Sequence, residues 1–239
     1  MGKDYNDISN ESSKDKIIYG VGDGAPAYEV EPYLQLVPQP KERPEKAQKT
    51  LKDYLALPED RRVEMIDGVF YDMASPTLIH QRISMKIGTV FENFIEKNGG
   101  NCVPFVAPAD VQLFCDDKTM VVPDVFVVCD RDKLTKKRAV GAPDLIIEIV
   151  SPGNEKMDTQ LKLVKYRQAG VREYWIVFPE KKMVWVYLFE KNAADADVAP
   201  VKYTFADRVP VGIWENRCEV DFAEIYEQCR FLYEQSRIG

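Results

Sequence analysis

Two acids stand inside apolar, strand-like runs: Asp124 in Val121-Val-Pro-Asp-Val-Phe-Val-Val128 and Glu148 in Pro143-Asp-Leu-Ile-Ile-Glu-Ile-Val150. Taking an ionised carboxylate out of water costs of order several kcal/mol even after the surroundings relax. A fold keeps such a group when it is paired, protonated or bound to a cation. Both runs are short, continuous and β-branched, the pattern of strands covered on both faces. Side chains alternate along a strand, so Asp124 shares a face with Val122 and Phe126, and Glu148 with Ile146 and Val150. On adjacent strands the two carboxylates meet over one pocket. That would suit a hard divalent cation such as Mg²⁺ or Mn²⁺, which takes oxygen ligands and completes its shell with water or substrate phosphate. The alternative is a pair of strand-end acids that reach solvent or an arginine.

Further groups can join them. Asp158, Lys162 and Tyr166 fall at i, i+4 and i+8, one stripe of a helix. A lysine beside a phosphate can stabilise developing negative charge and orient water. The plainer reading is a surface Asp–Lys pair worth a few tenths of a kcal/mol. Glu64 precedes the Asp67-Gly68 turn and is either an additional ligand for metal or water or a solvent-facing strand acid. His80, the single histidine, is either a proton carrier or a holder of phosphate or carboxylate, or a structural residue at a helix start.

The elements that must position these groups follow from periodicity. Leu51 to Leu57 reads as a short helix, and Arg62 to Ile66 with Val69 to Met73 as a hairpin around Asp67-Gly68, a type I′ signal. Ser75-Pro76 opens a helix over Leu78 to Lys97, stopped by Asn98-Gly99-Gly100. Strands are expected at Cys102 to Val106, Val111 to Phe114, Met120 to Val128 and Asp144 to Val150. A helix over Glu155 to Ala169, closed by Gly170, comes next. A second hairpin joins Glu173 to Phe178 with Met183 to Phe189. A polar loop from Lys191 to Pro200, a strand near Val201 to Phe205 and a helix from Phe222 to about Gln235 complete the order. The fold class is mixed α/β (α+β), a sheet with helices on its faces. Tyr174, Trp175, Trp185 and Tyr187 read as sheet packing rather than base-stacking platforms.

Composition bounds the partners. The 239 residues are 45% apolar, with a formal charge of -7. That argues against a broad basic surface, though not against a local basic rim. The lysine-rich segment Arg131 to Arg138 is a solvated loop or helix and the best local candidate for phosphate contacts. Residues 1–49 read as a flexible arm and 50–239 as one domain. Five scattered cysteines without a Cys-x-x-Cys pair read as buried, reduced thiols of a cytoplasmic protein. No stretch approaches the ~20 apolar residues of a membrane span. There is no P-loop, dinucleotide fingerprint or Ser-His-Asp arrangement.

Pro123-Asp124, Gly141-Ala-Pro-Asp-Leu-Ile-Ile-Glu148-Ile-Val-Ser-Pro152, then Asp158, Lys162, Tyr166 and Gly170-Val-Arg-Glu-Tyr-Trp-Ile-Val177 occur in an order and spacing that resembles the Uma family. This is a bacterial branch of the PD-(D/E)XK, restriction-endonuclease-like superfamily. The similarity runs from about Leu51 to Leu188 and takes in Glu64, Gly68 and His80. It implies a central mixed sheet flanked by helices, and metal-dependent endonuclease hydrolysis of nucleic acid, DNA first. Asp124 and Glu148 would hold Mg²⁺ or Mn²⁺, with the Ile149 carbonyl completing the protein ligands. Val150 stands where the superfamily has a lysine, so the resemblance assigns that role to Lys162 on the following helix, with Tyr166 either steadying it or touching substrate. A homodimer would suit double-strand cleavage. The competing expectation is the same fold kept as a weakly active or inactive module for binding DNA or protein.

Overall fold

The structure, a computed structural model, describes residues 48–58, 60–151, 153–189 and 199–235. The arm expected up to residue 49 and the loop expected from Lys191 to Pro200 lie outside them, apart from residues 48–49 and 199–200. In chain order the elements are α1 (Leu51–Leu55), β1 (Val63–Ile66), β2 (Val69–Asp72), α2 (Leu78–Asn98), β3 (Val103–Val106), β4 (Asp110–Gln112), β5 (Met120–Val121), β6 (Val125–Val128), β7 (Arg138–Val140) and β8 (Leu145–Ile149). A π-helical stretch, Met157–Lys162, runs into α3 (Leu163–Ala169). Then come β9 (Glu173–Phe178), β10 (Met183–Leu188), β11 (Val201–Thr204), β12 (Arg208–Pro210), β13 (Glu219–Asp221) and α4 (Phe222–Glu234).

The strands form two principal mixed sheets rather than one. A six-stranded sheet has the order β11-β10-β9-β8-β6-β3, and a five-stranded sheet the order β2-β1-β5-β4-β7; β12 and β13 pair separately. The central strands β6, β8 and β9 are buried along their whole length, and their alternation divides them between two cores. Val125, Val127, Ile147 and Val177 pack with Ile83, Ile87 and Phe91 of α2 and with Phe222 and Ile225 of α4. Phe126, Val128, Ile146 and Ile176 turn the other way, toward Ile66, Val111 and Val121 of the second sheet and Tyr166 of α3. Tyr174, Trp175 and Tyr187 are core residues, as expected.

The first hairpin forms as its turn dictates. Ile66 pairs with Val69, and Asp67 and Gly68 take φ values of 50° and 70°, the two left-handed residues of a type I′ turn. Gly68 is required for space as well, since a Cβ there would lie 2.8 Å from the Lys49 carbonyl oxygen.

The long strand expected over Met120 to Val128 is two strands in different sheets. Val122, Pro123 and Asp124 carry the chain from β5 to β6. Proline has no N–H to give a ladder, so a sheet-to-sheet crossing is where it fits. Asp124 therefore sits at a junction, not inside a strand. The thiol expectation is corrected too. Pairing of Val103 with Val128 sets Cys102 opposite Cys129, and the two form a disulfide, while Cys115 is exposed. A spacing of 27 residues carries no sign of that antiparallel register.

Glu173, on β9, is fully buried. Its Oε1 accepts from Trp175 Nε1 at 2.7 Å and Gly212 N at 3.1 Å, and its Oε2 from Ile213 N at 2.8 Å. The carboxylate thereby fastens the segment between β12 and β13 to the main sheet. Glu173→Gln would set an amide donor against an N–H donor. We expect a loss of about 1–3 kcal/mol in denaturant unfolding; an unchanged midpoint would show that the latch contributes nothing.

Candidate active site

A cleft of about 90 Å³ opens at the seam between the two sheets, and its lining includes Arg62, Glu64, His80, Asp124, Glu148, Ile149, Asp158 and Lys162. The pairing of β6 with β8 sets Val125 opposite Ile147, which places Asp124 and Glu148 side by side, as the adjacent-strand argument required. Asp124 Oδ2 accepts from the Ile149 backbone N–H at 2.7 Å and lies 2.9 Å from His80 Nε2. His80 sits in the first turn of α2 with its ring against the Asp124 carboxylate. The Thr77 side chain caps α2 by accepting from the His80 N–H at 3.2 Å, which fixes the first turn that carries the ring. Among the described residues His80 Nδ1 is buried without a partner.

Glu148 reaches inward from β8, where its Oε1 accepts from Tyr166 Oη at 2.5 Å and from Lys162 Nζ at 3.0 Å. Glu64 is buried, not solvent-facing. Its Oε1 accepts from Val122 N at 2.9 Å, and its Oε2 lies 2.9 Å from Lys162 Nζ. Asp158 Oδ1 stands 3.7 Å from the same ammonium. Glu64, Asp158 and Lys162 are each 5% exposed and Glu148 3%, so the Asp–Lys pair is not a surface pair. The π-helical winding through Met157–Lys162 carries both Asp158 and Lys162; such irregularities occur frequently at functional sites.

Acid is in excess here, with three carboxylates around one lysine and Asp124 lining the same cleft. Burial, and then the negative charge of Asp124, Asp158 and Glu64, holds Glu148 well above the usual carboxylate range despite the pull of Lys162. Burial raises Asp158 to about 6, opposed by Lys162 and reinforced by Asp124 and Glu64. Burial disfavours the charge on Lys162, yet Glu148, Glu64 and Asp158 more than offset it and keep the ammonium protonated far above its ordinary range. Burial likewise pushes the Tyr166 phenol up, so it remains a donor to Glu148.

The candidate metal and catalytic residues come to this cleft or its wall: Glu64, His80, Asp124, Glu148, Ile149, Lys162 and, behind Glu148, Tyr166. Missing from that set was Asp158 as a member in its own right; its place four residues before Lys162 was the available signal. Arg62, on the rim, gave no signal beyond its neighbour Glu64. The segment Arg131 to Arg138 does not line the cleft. Lys133 Nζ donates to the Ala142 carbonyl, Arg138 Nε to Gln112 Oε1 and Arg131 Nε to the Asn101 carbonyl.

The raised Asp158 carboxyl makes a signed pH dependence. Between about pH 4 and pH 6 the folded protein retains a proton that the unfolded chain has lost, so stability falls as pH rises through that window. Asp158→Asn, unfolded in chelator across pH 4–7, should flatten the decline by about 3 kcal/mol. A slope equal to that of the wild type would show that Asp158 titrates normally.

Comparison with known proteins agrees with this architecture. The profile of the Uma2 family, described as "Putative restriction endonuclease", matches residues 51–211. An uncharacterised Synechocystis protein, slr1290, is 29% identical over 175 residues, covering 72% of this chain and 85% of its own. A crystal structure described as a putative nuclease belonging to DUF820, from Anabaena variabilis, superposes with a TM-score of 0.60 at 20% identity, over 74% of this chain and 97% of that one. The structural likeness bears on the fold, and the profile takes in both acids, Lys162 and the crossover from β8 to β9. The chain belongs to the Uma2 family, with a fold consistent with the PD-(D/E)XK-like superfamily.

Proposed function

We propose that the cleft is a nucleic-acid site, with DNA as its first substrate, and that the groups around it hydrolyse a phosphodiester with the help of a divalent cation. The observation that carries this reading is the meeting of Asp124, Glu148 and Lys162 at one cleft from three separate elements. The donors are mainly carboxylates, with Ile149 in the same lining and no cysteine there, a set that fits Mg²⁺ or Mn²⁺ better than the thiolate-rich set of a structural zinc centre. Asp124, Glu148 and the Ile149 carbonyl would hold such a cation, which supplies polarisation of a phosphoryl oxygen and a more acidic water.

The chain's own groups then have distinct tasks. Lys162 neutralises charge developing on the phosphoryl oxygens or orients the attacking water. Tyr166 fixes one Glu148 oxygen through its hydrogen bond. His80 and the Ile149 N–H both hold Asp124 Oδ2. Glu64 anchors Lys162, and Arg62 at the mouth provides a cation for a neighbouring phosphate.

A second reading is favoured by a specific observation. Among the described residues no group of three or more His, Cys, Asp or Glu is arranged to hold a metal ion, and Glu64, Glu148 and Asp158 each pair with Lys162. For the free protein this geometry supports, better than it supports turnover, a nuclease-fold module that binds DNA or protein with little or no catalysis.

Incubation with supercoiled plasmid, linear duplex and single strand, each with Mg²⁺, Mn²⁺ or chelator, separates the two. Hydrolysis predicts metal-dependent products that fall by about 100-fold or more in Glu148→Gln while the unfolding transition persists. Tight, metal-independent retention of DNA without products in the wild type would leave the module reading standing instead.

A further inference from the structure

The Lys162 ammonium is held as a bound cation is held. Oxygens from three carboxylates on three elements converge on it: Glu64 on β1 at 2.9 Å, Glu148 on β8 at 3.0 Å and Asp158 in the π-helical stretch at 3.7 Å. Hard oxygens converging on one buried point are what a small divalent ion also takes. On the Asp124 side, Oδ2 already accepts from His80 and from the Ile149 N–H. On the Glu148 side, Oε1 already accepts from Tyr166 and Lys162. Each acid of the pair therefore has one oxygen fully engaged by protein donors.

We propose that Lys162 is the resident counter-cation of this acid cage and competes with the divalent ion for Glu148, so that the metal site completes only when Lys162 turns to an incoming phosphate. The inference rests on the metal-dependent reading of the cleft and adds a condition to it: the lysine that serves the substrate is the group that closes the site without it. Electrostatics supports the exchange. Two cations sharing one carboxylate in a low-dielectric site repel, whereas a phosphate drawn to Lys162 removes the ammonium from Glu148 and restores acid excess there. Lys162 lines the cleft together with Ser151, Asn154 and Asp158.

Calorimetric titration of Mn²⁺ into the full chain at pH 7, without DNA, tests this. Lys162→Gln should bind Mn²⁺ at least tenfold more tightly than wild type, whereas Lys162→Arg, which keeps a cation in the cage, should stay at the wild-type level. Adding Asp124→Asn to the Lys162→Gln chain should abolish the gain, which places the ion at the acid pair. A short phosphorothioate oligonucleotide should strengthen Mn²⁺ binding to wild type but leave Lys162→Gln unchanged. Because Lys162→Gln leaves three buried acids without a counter-charge, a Glu64→Gln, Lys162→Gln chain, which removes one charge of each sign, is titrated alongside and judged by the same criterion. Equal Mn²⁺ affinity in wild type and the lysine-less chains overturns the competition while leaving the metal-dependent reading intact. Absence of binding in all of them overturns both.

Discussion

The ammonium of Lys162 inside a shell of carboxylates is the interaction on which the seam between the two sheets depends. A charge taken out of water is tolerated only when its partners are close and the remaining polar groups are satisfied. Here the balance is deliberately uneven. Glu64, Glu148 and Asp158 surround one lysine, with Asp124 nearby, and burial first, then the neighbouring acids, shifts Glu148 and Asp158 upward. Such an imbalance is unfavourable for stability taken alone. It is the arrangement expected where a second cation is to be bound or a proton is to be moved.

Topology explains why these groups meet where they do. The chain leaves the five-stranded sheet at Val121 and enters the six-stranded sheet at Val125, and the crossing is tied at both ends by acids. Glu64 accepts the Val122 N–H, and Asp124 accepts the Ile149 N–H. β8 and β9 are parallel, so a crossover must return the chain to the start of β9. That crossover begins beside the end of β8 where Glu148 lies, and its π-helical winding turns Asp158 and Lys162 toward the acid. The functional groups are therefore also the fasteners of the junction. Substitutions there must be read with a folding measurement beside any activity measurement.

The family relationship and the electrostatics support each other without being the same statement. Membership explains the order of motifs and the two-layer arrangement. It says less about turnover, since folds host sites with many activities, including none. What bears on chemistry is local: a carboxylate pair with no thiolate near it, a lysine delivered from a helix rather than from the strand position held by Val150, and a net acidic chain with Arg62 on the rim of an acidic cleft.

Local physics made much of this legible in the residues alone. Asp67-Gly68 requires a type I′ turn because of its backbone preferences, and the apolar stripe from Leu78 onward requires a helix against a sheet. Two acids in buried strand patterns require a partner, whatever the fold. The stripe of Asp158, Lys162 and Tyr166 likewise follows from helical geometry. Tertiary structure decided the rest, because it depends on contacts between distant residues. Glu64 meets Val122 across 58 positions, so no local pattern separates a site acid from a solvated one. The division of Met120 to Val128 between two sheets, the pairing of Cys102 with Cys129 and the inward turn of Lys162 share that origin. Sequence periodicity states which face a side chain occupies; only long-range pairing states what waits on the other side of it.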